Sequence, residues 1–595
     1  MTEQTLRAAD LQGVSSDDFE KLTFLLARDE DSDVVIVRNK DRGLDARLPD
    51  PMGRITLRGW QAKRFATGKL QWPKCEESVR TALAFWRPLQ ITFVFAHDLS
   101  AEEQANFQKR LVEAFPVVRL NFWSAEEVLR RMRDTEDGRR AKVWLFGRGL
   151  TWDEVLAAMV GKEPVQGARE IAERQAELNK QFDNDPHLYY TAVVTPDGAP
   201  ETPPAPQAVA SVMLSIDGQE VRYDLSERYP GALGDLGGGP RLVLRDDEQG
   251  QQARATLQAA ANATGPVEIE GGTGVLWPEV PVGLRGLLPE QPLWGGATLF
   301  PHEVEEIPPP DPVLLALIIA GSTELAVRFV QAEEPLPGWD GTMIGSTGGL
   351  ELTQSARMDD GKITLDQLGW RHNLGVGTAT EQYLSAKLLL AALEGEEVVI
   401  QIGGDEGEVG RASLALDDES SDQEGIADLR THVSFLEYAC EVQAWLGVPL
   451  FPPARPSKED IEELGRALGM IRQPQAMGTW TDIQLTTATD YPAADAGEAE
   501  VVIFQPAWAK FFGVEQYIGM EALHFDSVTI HRDGQNTVLR PGKNNTVATE
   551  LVHPEKMSVE AARQGSARRG GRVLFKPVGA DPDSDGGTDS DAHSG

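Results

Sequence analysis

From residue 15 to residue 132 the apolar spacing switches repeatedly between the helical and the strand period, which confines this part of the chain to an α/β domain. Residues 15–28 begin with serine and aspartate and then place Phe19, Leu22, Phe24, Leu25 and Leu26 on one face, the pattern of a capped amphipathic helix. Short β-rich runs follow at 33–38, 44–49 and 54–65, the last two joined by a turn at Asp50-Pro51-Met52-Gly53. A helix is predicted over 76–86, a buried strand over 89–96, a helix from Ser100 to Ala114, a strand over 117–123 and a helix from Ser124 to Met132. Ser100 with Glu103 and Ser124 with Glu127 have the spacing of capping boxes. The predicted order is α-β-β-β-α-β-α-β-α.

A chain of 595 residues is too long for one core, so several domains are expected. The α/β domain takes residues 1–135. Residues 136–206 read as a helical connector, with a helix near 166–182 and a Pro-rich linker at 195–206. Residues 207–305 are predicted to be a β-rich module and 306–416 an α+β module. Residues 417–575 are predicted to hold a helical pair and a β-rich C-terminal module, with Ser457 capping the second helix. The acidic tail 576–595 is poor in apolar residues and is expected to be disordered.

Charge divides the chain unevenly. The whole protein carries a net charge of −37, yet residues 1–150 hold 25 basic and 23 acidic side chains, a net of +2, leaving −39 on the remainder. The N-terminal part can approach a polyanion, whereas the rest repels one and serves at least to keep the protein in solution. Only two cysteines, Cys75 and Cys440, are present, which excludes a disulfide framework and a cysteine zinc site and fits a reducing cytoplasm. The opening residues lack a basic head and an apolar run, and the longest apolar stretch, 313–320, is far short of the roughly 20 residues that span a bilayer. No membrane partner is expected, and the localisation expected is cytoplasmic. There is no phosphate-binding G-x-x-x-x-G-K-[ST] loop, and the nine histidines do not cluster at metal spacing.

Hydrolysis of a phosphodiester needs a divalent cation held by oxygen ligands, an activated water, and neutralisation of the charge that develops on the phosphate. Two neighbouring strands can supply these. Asp45 lies at the start of one, in Arg42-Gly43-Leu44-Asp45; Gln61 and Lys63 lie on the next, in Gly59-Trp60-Gln61-Ala62-Lys63-Arg64-Phe65. Strand alternation puts Gln61 and Lys63 on one face and Trp60 and Ala62 on the other. The turn at 50–53 folds the strands back so that Asp45 can approach Gln61, and Glu20 on the preceding helix can add a carboxylate. Arg64, Lys69 and Lys74, with Trp72 among them, are candidates for contact with flanking phosphates.

The runs FEKLTFLLAR, RGLDARL and WQAKRF, followed by QITFVFAHDLSAEEQANFQKRL and VVRLNFWSAEEVLRRM, resemble the Mrr-like restriction endonucleases of the PD-(D/E)xK superfamily over about residues 8–133. The resemblance implies a restriction-endonuclease-like α/β fold for the N-terminal domain. It implies that Asp45 is a metal ligand and that Gln61 stands in place of the second acid, helped by the Ala62 carbonyl. Lys63 would orient the attacking water, and Glu20 would be a metal or outer ligand. The cofactor implied is Mg²⁺ or Mn²⁺, hard cations suited to oxygen donors.

The expectation is thus a multidomain protein: a restriction-endonuclease-like N-terminal domain, then β-rich α+β domains and a disordered acidic tail. It is expected to be a Mg²⁺-dependent endonuclease acting on DNA, of the kind used in bacterial restriction or anti-phage defence. Residues 207–575 would bind a protein partner or regulate the nuclease intramolecularly, and an oligomer is compatible with this. The alternative is a catalytically inactive nuclease-fold protein serving as an interaction or scaffold component. A third reading has the acidic region gate the enzyme.

Overall fold

The structure is a computed structural model. The residues it describes are 6–37, 42–51, 55–65, 70–147, 185–195, 208, 210–216, 219–232, 241–259, 267–276, 293–299, 314–331, 340–359, 362–402, 408–412, 423–472, 475–481, 483–485, 498–533, 536–542, 545–553 and 573–577. It is built of several helix-and-sheet units.

In the N-terminal unit a short helix α1 (Ala8–Gly13) precedes α2 (Ser16–Glu30). Ser15 caps α2 by accepting the Asp18 amide at 3.0 Å, as its position predicts. Five strands follow: β1 (Val35–Ile36), β2 (Ala46–Pro49), β3 (Thr56–Lys63), β4 (Gln90–Phe95) and β5 (Arg119–Trp123). They form one sheet in sequence order. β1, β2 and β3 pair antiparallel because short connections suffice between them; the β2–β3 turn is closed by Asp50, which accepts the Ile55 amide at 2.8 Å. β3, β4 and β5 pair parallel, which requires crossovers, here α3 (Trp72–Phe85) and α4 (Ala101–Phe107). The capping box at Ser100 and Glu103 forms as its spacing predicts, while Ser124 accepts the Glu127 amide as a simple cap.

Two elements depart from expectation. α3 begins at Trp72 rather than at 76, because Pro73 fits the first turn, where its missing N–H is unneeded, and Trp72 is buried. The helix expected to run to Ala114 passes at residue 108 into a π-helical turn, Gln108–Val112, with Leu111 fully buried at it.

The sheet has two apolar faces. Phe19, Leu22, Leu25 and Leu26 of α2 join Trp60, Ala62 and Val94 on one; Cys75, Val79 and Leu83 of α3 join Ile91, Phe93 and Phe95 on the other. The unit does not end at residue 135. After α5 (Ala125–Asp134), Thr135 caps α6 (Glu136–Phe146), whose Ala141 and Trp144 are buried in the α2 core. An amphipathic helix must bury its stripe, and the nearest apolar surface is that of α2 and α5. The connector helix near 166–182, the linker residues 196–206 and the tail residues 578–595 lie outside the described residues.

The strands Leu188–Thr195, Ala210–Ile216 and Gln219–Glu227 make a three-stranded antiparallel sheet. It is tied back to α2: Arg28 Nη2 donates to the Arg228 carbonyl at 2.8 Å, and the Tyr229 ring meets Phe24 edge-on at 4.8 Å. Residues 241–299 hold a second three-stranded sheet with the helix Glu248–Ala259. Residues 314–412 form a seven-stranded antiparallel sheet, on which lies the helix Ala379–Leu393.

The helix Gln423–Leu446 shares that module's core, and Gln443 Nε2 reaches Thr380 Oγ1 at 2.7 Å. The helix that follows the boundary expected at 416 therefore packs into the unit before it, its apolar face meeting the helix Ala379–Leu393; residues 413–422 lie outside the described residues. The far end of Gln423–Leu446 also touches the last sheet, where Trp445 Nε1 donates to the Ile518 carbonyl at 2.8 Å. Ser457 caps the helix Lys458–Arg472 as expected.

The N-terminal unit and the seven-stranded sheet meet where α3 packs on the strand Thr323–Gln331. Arg87, in left-handed conformation at φ +47°, donates Nη2 to the Ala326 carbonyl at 2.7 Å.

Candidate active site

The β2–β3 register sets the site. Ala46 pairs with Trp60, so Asp45 lies opposite Gln61, and the Asp45 amide donates to the Trp60 carbonyl at 2.9 Å. The preceding Gly43 holds φ +77°. A Cβ there would lie 2.4 Å from the Ser78 carbonyl and 2.6 Å from the Ala82 nitrogen. The glycine of Gly43-Leu44-Asp45 is thus the residue that lets the chain pass against α3 before turning into β2.

Asp45 Oδ2 accepts two hydrogen bonds, from the Ala62 amide at 2.6 Å and from Gln61 Nε2 at 2.7 Å. The Gln61 amide nitrogen also lies 3.2 Å from the Ala62 carbonyl oxygen. Gln61 is only 8% exposed, so its amide is fixed in this cluster.

Strand parity is as predicted: Trp60 and Ala62 face the α2 core, and Lys63 reaches α3. There Lys63 Nζ donates to Ser78 Oγ at 2.7 Å, and Ser78 in turn donates to the Lys74 carbonyl at 3.0 Å. Burial lowers the Lys63 pKa from its ordinary value, while the charges of Asp45, Glu20 and Glu77 and the Cys75 thiol act to raise it. Burial pushes the Cys75 thiol up to about 11, so it stays protonated at neutral pH despite the lysine beside it. The structure therefore brings Asp45, Gln61 and Lys63 together, with Glu20 close enough for its charge to act on Lys63.

Among the described residues no three His, Cys, Asp or Glu side chains form a metal-holding group. The donors present still fit a hard cation. Turning the Gln61 amide about its last bond exchanges Nε2 for Oε1 and, with Asp45 and the Ala62 carbonyl, gives three oxygens in one cluster.

Of the phosphate-contact candidates, Arg64 donates Nε to the Gln12 carbonyl at 3.2 Å and so braces α1. Lys74 is exposed on the first turn of α3, and Lys69 lies outside the described residues. Ser78, Cys75 and Glu77 are not among the site residues expected from the sequence. The usable signal was Ser78, a polar residue flanked at helical spacing by Cys75, Val79 and Ala82 on the buried face of α3.

No family model, no curated protein and no solved structure matches this chain.

Proposed function

We propose that the N-terminal unit is a Mg²⁺- or Mn²⁺-dependent endonuclease that hydrolyses DNA phosphodiesters, with Asp45, Gln61, Lys63 and Glu20 as its working residues. One observation carries this reading: the register of two antiparallel strands sets Asp45 against Gln61 and the Ala62 backbone at 2.6–2.7 Å, with the Lys63 ammonium on the same strand as Gln61. Asp45, Gln61 through Oε1 and the Ala62 carbonyl would hold the cation, with Glu20 as a further carboxylate. When bound, the cation supplies Lewis-acid polarisation of the phosphate and a water acidic enough to attack.

Lys63 supplies positive charge where the phosphate gains negative charge. Its half-buried amine keeps one N–H on Ser78, which leaves its other two donors for the substrate. The element order of the N-terminal unit from α2 to α5, α-β-β-β-α-β-α-β-α, supports this reading. In this reading the acidic region 207–575 is the sensor or assembly part, and membership of a restriction or anti-phage system is an inference by analogy of fold.

The test is incubation of the full chain with duplex DNA and Mg²⁺ or Mn²⁺, beside Asp45→Ala and Lys63→Ala. Cleavage by the wild type and at least a hundredfold loss in both variants is the expected result. Equal inertness of all three on several DNA and RNA substrates sinks the enzymatic reading and leaves the catalytically inactive scaffold.

A further inference from the structure

Arginines 42 and 47 flank Asp45 in sequence, and both turn toward the end of α3. The Arg47 guanidinium carbon stands 4.7 Å from the Trp86 ring centroid; that of Arg42 stands 5.8 Å from the same ring and 5.4 Å from Phe85. Each contact alone is an ordinary cation–π pair. Two cations on one indole are not ordinary, and neither has a carboxylate within salt-bridge distance among the described residues. The charge of a third, Arg328, acts on Arg42. Arg328 is exposed on the strand Thr323–Gln331, two positions from Ala326, whose carbonyl holds Arg87 next to Trp86. Burial, and for Arg42 also the charge of Arg328, lowers the pKa of Arg42; burial alone lowers that of Arg47. Like charges gathered at one spot, with no carboxylate partner for Arg42 or Arg47 among the described residues, are a site for an anion.

We propose that Arg42, Arg47 and Arg328 bind the sugar–phosphate backbone of duplex nucleic acid beside the phosphate engaged at Asp45. The placement beside Asp45 rests on the nuclease reading; the anion site itself does not. Arg47 is two strand residues from Asp45, about 7 Å along β2, and an arginine side chain covers the remaining distance to a flanking phosphate. The site joins α3 of the N-terminal unit to the seven-stranded sheet, so DNA held here would touch both.

The experiment uses the full chain and a fluorescently labelled duplex, with Ca²⁺ replacing Mg²⁺, and reads affinity by anisotropy from about 50 to 200 mM salt. The expected result is that Arg42→Gln with Arg47→Gln lowers affinity roughly tenfold or more at the low end and makes the log–log salt slope shallower by about 2. Arg328→Gln, at an exposed position that the core does not need, makes the slope shallower by about 1. Lys458→Gln, on a highly exposed helical lysine, leaves the slope unchanged. Identical slopes for wild type, the double variant and Arg328→Gln overturn the proposal, as does a wild type that binds no duplex; the arginines would then serve another anion, such as an acidic peptide.

A parallel cleavage assay in Mg²⁺ separates the two readings. Asp45-dependent cleavage with unchanged slopes defeats the anion site alone. Arginine-dependent binding without cleavage defeats the nuclease alone.

Discussion

Lys63 Nζ donates to Ser78 Oγ at 2.7 Å, so the charged end of a β3 side chain is anchored on α3, the helix that crosses over to β4. The bond sets where the ammonium points when no substrate is present. Ser78→Ala removes it while leaving the helix and its packing intact. A hydrogen bond to a charged group contributes about 1.5–3 kcal/mol, so cleavage should fall by roughly tenfold or more. Ser78→Thr, which keeps the hydroxyl, should recover most of the rate. Single-turnover kinetics on the three proteins checks this; a wild-type rate in Ser78→Ala means that Lys63 needs no such anchor.

Gln61 stands where a second acid would strengthen a cation site. In Gln61→Glu a carboxylate replaces the amide that now donates to Asp45 at 2.7 Å, so two negative charges face each other without a cation. The variant should melt at a lower temperature than wild type in chelator and gain more stability than wild type from Mg²⁺. Its Mg²⁺ requirement for cleavage should shift to lower concentration. Thermal melts across a Mg²⁺ series measure the first effect without any activity, and equal Mg²⁺ stabilisation of both proteins would falsify the assignment of Gln61 to a cation site.

His187 pins the strand Leu188–Thr195 region against the N-terminal core. It is fully buried, its Nδ1 lies 2.5 Å from the Tyr229 hydroxyl, and its ring meets Trp144 edge-on. Burial, aided by Lys21 and Arg228, holds its pKa near 3, below the ordinary 6.5, with Asp18 acting in the opposite sense. The unfolded segment therefore takes up a proton below pH 6.5 that the folded segment resists. The contribution to stability is full above 6.5 and declines as pH falls toward about 3. Between pH 7 and pH 4.5 hydrogen exchange at residues 185–195 and 219–232, corrected for intrinsic rates, should show opening increased by up to about a hundredfold. His187→Gln should abolish that pH dependence. An unchanged opening constant in wild type would show that the ring does not govern this docking.

Much of the N-terminal unit is legible in the sequence because its signals are local. The face of α2, its Ser15 cap and the capping box at Ser100 follow from residues within one or two turns. Strand alternation alone assigns Trp60 and Ala62 to one side and Gln61 and Lys63 to the other. The pairing of Asp45 with Gln61 needs one further step, a turn between β2 and β3, and Asp50 supplies it.

What only the tertiary structure decided involves partners remote along the chain. Ser78 is an unremarked helix serine until α3 crosses the sheet and brings it under Lys63. α6 reads as part of a connector until Ala141 and Trp144 are seen to close the α2 core. The helix Gln423–Leu446 reads as the start of a new module until Gln443 meets Thr380. Arg42, Arg47 and Arg328 are scattered basic residues in the sequence; folding gathers the first two on one indole and lets the charge of the third act on Arg42. Period and caps report backbone energetics over a few residues, and these the sequence by itself determined. Which apolar faces meet, and which charges they carry together, depends on docking over tens to hundreds of residues, and only the folded chain decides it.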